Sequence, residues 1–167
     1  MLANDVLADA YGRIETEVHR VIADLSDDAL AFRPAPNANS IAWLVWHIAR
    51  VQDAQIAAVA GSGEVWTDDG WAEKFDLPFD AAETGYGMSS SDVAKVRASA
   101  ELLTGYYDAV HARTLQYLAS LQEADYQKVV DENYDPPVTL LTRLVSILSD
   151  DLQHAGQAAF VRGLLPS

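Results

Sequence analysis

The chain has 167 residues, half of them hydrophobic, a formal net charge of −14 and no cysteine. That length suits one domain, residues 1–167, with a core large enough to need no covalent staples. The acidity, with lysines and arginines scattered rather than striped, argues against nucleic-acid partners, and the missing thiols exclude disulfides, zinc–thiolate sites and a cysteine nucleophile. The start, Met1-Leu-Ala-Asn-Asp5, shows no basic region followed by an apolar one, and no apolar run approaches the roughly 18 residues of a membrane span. A cytoplasmic protein with no membrane partner is the expectation.

From about Asp5 to Leu25, Val6, Ala10, Ile14, Val18, Val21, Ile22 and Leu25 recur at helical spacing and predict a first helix. Pro34 and Pro36 keep the next connection non-helical. Ser40 reads as the N-cap of a second helix, Ile41 to about Val59, and Gly61 as its end. The first turns of this helix are apolar on nearly every side, which predicts burial all round. Gly61 to Ser91 lacks a period but carries Trp66, Trp71, Phe75, Phe79 and Tyr86. So many aromatics predict a flap packed on the core, with a short helix near Gly70–Phe75, and with Trp66 or Trp71 over the bundle end nearest His47.

The run Ser89-Ser-Ser-Asp92 predicts the cap of a third helix, about Val93 to Leu121. Asn133-Tyr-Asp-Pro-Pro137 marks a turn, with Val129-Val130 as a short extended piece before it. Thr139 caps a fourth helix, Leu140 to about Arg162, whose apolar stripe reads Leu141, Leu144, Val145, Leu148, Leu152, Ala155 and Ala159. Four long amphipathic segments predict an all-α four-helix bundle.

The chemistry-bearing residues are few. His47 lies inside the buried second helix, where an isolated histidine is ordinarily a core residue. Asp150 and His154 are four apart on the fourth helix, the spacing that puts two metal ligands on one face; Asp151, three before His154, fits nearly as well. Arg50, one turn after His47, is placed to bind an acidic substrate or a thiolate. Gln157, one turn past His154, is placed to orient a ligand. Trp46 and Tyr106 are candidates for a pocket wall.

Asn39-Ser-Ile-Ala-Trp-Leu-Val-Trp-His-Ile-Ala-Arg50 followed by His154-Ala-Gly-Gln157 resembles the DinB-like superfamily of metalloproteins, in an actinobacterial branch. Phe32-Arg-Pro34, Pro136-Pro-Val-Thr139 and Val161-Arg-Gly-Leu-Leu165 extend the likeness over the whole chain. The resemblance implies an up-down-down-up four-helix bundle, a homodimer, and a metal triad of one histidine on the second helix with a histidine pair on the fourth. Carried onto this chain, the triad is His47, Asp150 and His154, with aspartate where most of the superfamily has histidine. Two imidazoles and one carboxylate suit Zn, Ni, Mn or Fe as divalent cofactor. The better understood members of the superfamily are transferases and isomerases that use low-molecular-weight thiols such as mycothiol or bacillithiol. A chain without cysteine, of a composition typical of GC-rich bacteria, is compatible with a thiol arriving as cosubstrate. The resemblance thus implies a metal-dependent enzyme acting on a small molecule, with a metal-dependent hydrolase or a non-enzymatic metal-binding or small-molecule-binding stress protein as alternatives.

Overall fold

The computed structural model describes residues 3–166. Four long helices form the body: α1 (Ala3–Ile22), α3 (Ile41–Ala60), α7 (Ala100–Ser120) and α8 (Leu140–Gly163). Short helices α2 (Asp27–Leu30), α4 (Val65–Asp68), α5 (Trp71–Phe75) and α6 (Ser90–Val93) lie in the connections, with a 3-10 turn at Glu123–Gln127. Strands β1 (Val129–Asp131) and β2 (Val138–Thr139) pair antiparallel just before α8.

The long helices begin where a hydroxyl can satisfy an otherwise orphaned backbone N–H. Ser40 accepts from the Trp43 amide, Ser99 from Leu102 and Thr139 from Thr142. Gly61 closes α3 in the left-handed conformation. The third long helix differs from expectation. The Ser89 cap opens only the single turn of α6, and a second cap at Ser99 starts α7 seven residues later than Val93.

Around the bundle, α3 packs on α7 and α8, and α1 packs on the same two from the other side. Asn4 donates to the carbonyls of Leu118 and Leu121, so the start of α1 meets the end of α7. The Arg162 guanidinium caps the other end of α1 through the carbonyls of Val21 and Ala23, both at 2.8 Å. His47 lies beside His154 while Arg143 reaches Gln55, so α3 and α8 run in opposite senses.

Two helix faces depart in part from the sequence expectation. On α1 the buried stripe is Leu7, Tyr11, Ile14, Val18, Val21 and Ile22, and Val6 is exposed. On α8 it is Leu140, Leu144, Ile147, Asp151, Ala155, Ala158 and Val161. Leu141, Val145, Leu152 and Phe160 face outward.

The aromatic stretch after α3 is packed onto the bundle, as its composition predicts. Trp66 is buried against Trp46, Phe75 and Tyr106, and Trp71 lies on Tyr106. Trp71 also sits where a Cβ on Gly105 would come within 2.8 Å, so α7 needs glycine there. The two tryptophans do not themselves cover His47; Thr84 and Gly85 do.

A buried polar network ties this flap down. The Arg50 side chain has no exposed surface and donates to Glu64 Oε2 (2.8 Å), Tyr106 Oη (3.3 Å) and the carbonyls of Ala81 and Glu83 (both 3.1 Å). Asp53 accepts the amides of Val65 and Trp66 and the Tyr106 hydroxyl. Burial pushes the Asp53 carboxyl up, and these donors together with Arg50 oppose that shift. Removing one member of such a network strands the rest. Asp53→Ala is expected to destabilise the fold by about 3–5 kcal/mol in chemical denaturation, against about 0.5 kcal/mol or less for an ordinary surface substitution.

Candidate metal centre

His47, Asp150 and His154 meet on the seam between α3 and α8. Each offers one ligand atom, and these atoms all lie within 4.8 Å of one another. His47 Nε2 is 3.9 Å from Asp150 Oδ2, and His154 Nε2 is 3.6 Å from Asp150 Oδ1. Donors bound to a common ion at about 2.0–2.2 Å stand up to about 4 Å apart, so small side-chain shifts bring all three onto one ion.

Both imidazoles are held with Nε2 toward the carboxylate. His47 Nδ1 faces the Thr84 carbonyl oxygen, which can only accept, so Nδ1 carries the proton. His154 Nδ1 pairs at 3.0 Å with the side-chain oxygen of Gln157. Each Nε2 is thereby left with its lone pair free, the usual arrangement around a ligating histidine. Burial lowers the His47 pKa; the Thr84 contact and the Asp150 charge work against that shift, and the neighbouring His154 adds to it. The net effect favours the neutral, metal-competent ring.

Asp150 Oδ2 is a buried oxygen without a hydrogen-bond partner among the described residues. Such an atom costs free energy unless a hydrogen-bond donor, a water or a cation occupies the space beside it. The donor set and this orphaned oxygen fit a divalent cation. Trp43 stacks on His47 (ring centroids 4.6 Å apart) and meets His154 edge-on, walling one side. The other side opens into a groove of about 360 Å³ lined by His47, Val51, Ala54, Gln55, Thr84, Tyr86, Ser146 and Asp150. With three protein donors and access to solvent, positions remain for water or substrate.

The remaining sequence candidates separate clearly. Gln157 meets Nδ1 of the candidate ligand His154. Arg50 is enclosed and its donors are engaged by the flap, so it faces no substrate; it acts on the centre by holding the Glu83 carbonyl next to Thr84. Trp46 and Tyr106 are buried core residues that do not line the groove beside His47; Trp46 walls a separate small cavity of about 60 Å³ under the flap. Asp151 points into the core with no exposed surface and no partner on either oxygen, away from the histidines. A helix turns about 100° per residue, which sends consecutive aspartates to different surroundings. Burial pushes the Asp151 carboxyl well up, with the charge on Asp150 adding to it.

Thr84 and Gly85 were not visible as site residues in the sequence. Thr84 acts through its backbone, which leaves no side-chain signature. Gly85 has φ +92°, and a Cβ there would lie 2.8 Å from His47 Nδ1 and 3.1 Å from the rings of Trp43 and Trp46. The nearby pair of positive-φ glycines, Gly85 and Gly87, is the one signal the sequence carried. Gly85→Ala is expected to weaken metal affinity about 10–100-fold by displacing the Thr84 carbonyl, with an unchanged far-UV circular dichroism spectrum; competition with a chromogenic chelator measures it.

Comparison with known proteins agrees with this architecture. The crystal structure of a conserved protein from Enterococcus faecalis is similar to the chain with a TM-score of 0.93 and 33% identity, covering 99% of this chain and 98% of that one. No curated protein matches. The model of the DinB superfamily matches residues 10–158, and the chain belongs to that superfamily.

Proposed function

We propose that the chain is a divalent-metal-dependent enzyme acting on a small molecule, with His47, Asp150 and His154 as its ligands. The observation that carries the reading is Asp150 Oδ2, buried, unpartnered and flanked by the free Nε2 atoms of two histidines whose other nitrogens are already committed. The groove beside it supports a substrate small enough for about 360 Å³, with the exposed ring of Tyr86 at its edge. A divalent ion in this position supplies Lewis acidity and lowers the pKa of a coordinated thiol or water. Within that reading we favour a low-molecular-weight thiol of the mycothiol type as cosubstrate and transfer or isomerisation as the reaction. The support is the superfamily resemblance and a chain that brings no thiol of its own. Around the ion, the residues divide the work. Thr84 and Gln157 hold the imidazoles, Trp43 excludes water from one side, and the groove admits the reactants from the other.

Binding requires neutral imidazole. The lowered His47 pKa keeps that ring neutral at and somewhat below the ordinary histidine value of about 6.5, so affinity is retained at pH 7 and lost as the pH falls further. Isothermal titration of metal-stripped protein is expected to show His154→Ala without binding at this centre and Asp150→His with affinity equal to or above the parent. Asp151→Ala is expected to bind like the parent, and an Asp151 requirement would overturn the choice of carboxylate. With metal present, mycothiol is expected to raise the melting temperature, since a ligand of the folded state alone stabilises it. No shift with any low-molecular-weight thiol would move the reading to the hydrolase, with water in the thiol's place.

We also propose that the protein works as a homodimer. Leu141, Val145, Leu152 and Phe160 form an outward apolar strip along α8 that a second copy would cover. Light scattering at micromolar concentration is expected to give about twice the chain mass of 18.2 kDa, and Leu152→Glu to return it to the monomer value.

A further inference from the structure

The seam between α1 and α7, across the bundle from His47, gathers a second set of ligating side chains. Glu15 and His19 are four apart on α1, and Asp108 and His111 three apart on α7, so each pair shares one face of its helix. The helices bring the pairs together. Glu15, His19 and Asp108 each offer a ligand atom within 4.8 Å of the others, and His19 Nε2 lies 2.7 Å from Asp108 Oδ1. His111 Nε2 stands 3.5 Å from Glu15 Oε2. Donors on one tetrahedral ion, with bonds of about 2.0–2.2 Å, are separated by about 3.3–3.6 Å, so the His111–Glu15 distance already matches a coordination edge.

An ion pair explains only half of the cluster. His19 and Asp108 are each about half exposed and satisfy one another. His111 is different: only 5% of it is exposed, its Nδ1 has no partner among the described residues, and its Nε2 is aimed at the cluster without a hydrogen bond of ordinary length. Tyr107 stacks along the ring and offers it no polar contact. A buried imidazole that meets its carboxylate neighbour only at 3.5 Å, beside a second carboxylate and a second imidazole, makes a donor set suited to a cation.

We propose that Glu15, His19, Asp108 and His111 form a second divalent-cation site, which clasps α1 to α7. Two imidazoles beside two carboxylates select a borderline cation of the Zn²⁺ type over Mg²⁺ or Ca²⁺, which prefer all-oxygen surroundings. Ligand atoms of Glu15, His19 and Asp108 are already within 4.8 Å of one another, and a side-chain shift of His111, now 3.5 Å from Glu15, brings in the fourth donor. Four protein donors leave no open position, so the site is structural and not catalytic. Its occupant holds together two helices that the centre on α3 and α8 does not touch.

The test uses the full chain carrying His154→Ala, stripped with chelator and titrated with Zn²⁺ by calorimetry, with the melting temperature followed in parallel. One equivalent is expected to bind still and to raise the melting temperature. Adding His19→Ala or Asp108→Asn, at half-exposed positions where neither endangers the fold, is expected to weaken that equivalent at least about tenfold and to abolish the thermal shift. The parent protein is expected to bind two equivalents. If the centre on α3 and α8 fails instead, parent and His154→Ala will both bind one equivalent, still sensitive to His19. No binding by the His154→Ala protein overturns the proposal, as does a residual equivalent indifferent to both added substitutions, which would be adventitious.

Discussion

Arg50 carries a charge with no exposed surface, and such a group has to be satisfied entirely by the protein around it. Besides Asp53, one turn on along α3, its partners come from places far apart in sequence: Glu64 at the start of the flap, Tyr106 on α7, and the carbonyls of Ala81 and Glu83. No one of these contacts needs to be strong. Together they determine the path of residues 81–84, because any other path leaves a buried guanidinium short of acceptors. That path sets the Thr84 carbonyl against His47 Nδ1, and so chooses which nitrogen of His47 faces Asp150. The tautomer of a candidate ligand thus depends on an arginine that never touches it.

The interior is unusually polar between the two seams. Asp151 and Tyr107 are buried with unpartnered oxygens, and Tyr11 spends its hydroxyl on the Leu144 carbonyl. Burial raises the pKa of both tyrosines and of Asp151 alike, so all three favour their neutral forms. A carboxyl kept neutral in this way gives up stability as the pH rises above the unfolded aspartate value of about 3.9, because only the unfolded chain is then free to ionise. Asp151 therefore takes stability away from the fold at neutral pH.

Much of the fold was legible because helix starts are written locally. Ser40 and Thr139 each stand before an apolar helical run, and each does cap. The start of α7 was misplaced because Ser89 and Ser99 are both real caps, and the sequence does not say which one opens the long helix. The inward face of α8 was misjudged for another reason: an apolar-inward rule turns Leu152 in and Asp151 out, and the chain does the reverse. At the candidate centre, spacing put Asp150 and His154 on one face, but the approach of His47 is a property of helix packing. The contribution of Thr84 was out of reach, since any residue type presents the same carbonyl.

Consecutive aspartates on α8 have opposite surroundings, one at the edge of a groove and one sealed in the core. Between Leu144 and Asp150 the helix contains no bulge or break that could absorb an added residue. An insertion there would rotate everything beyond it by about 100°, or else carry the error back toward β2. Asp150 and His154 would leave the seam with α3 together, and the outward strip of α8 would turn inward. The residue type of the candidate ligand at 150 can drift, because a carboxylate and an imidazole on the same Cα both reach toward the same seam. The number of residues before it cannot, so α8 is open to substitution and closed to insertion.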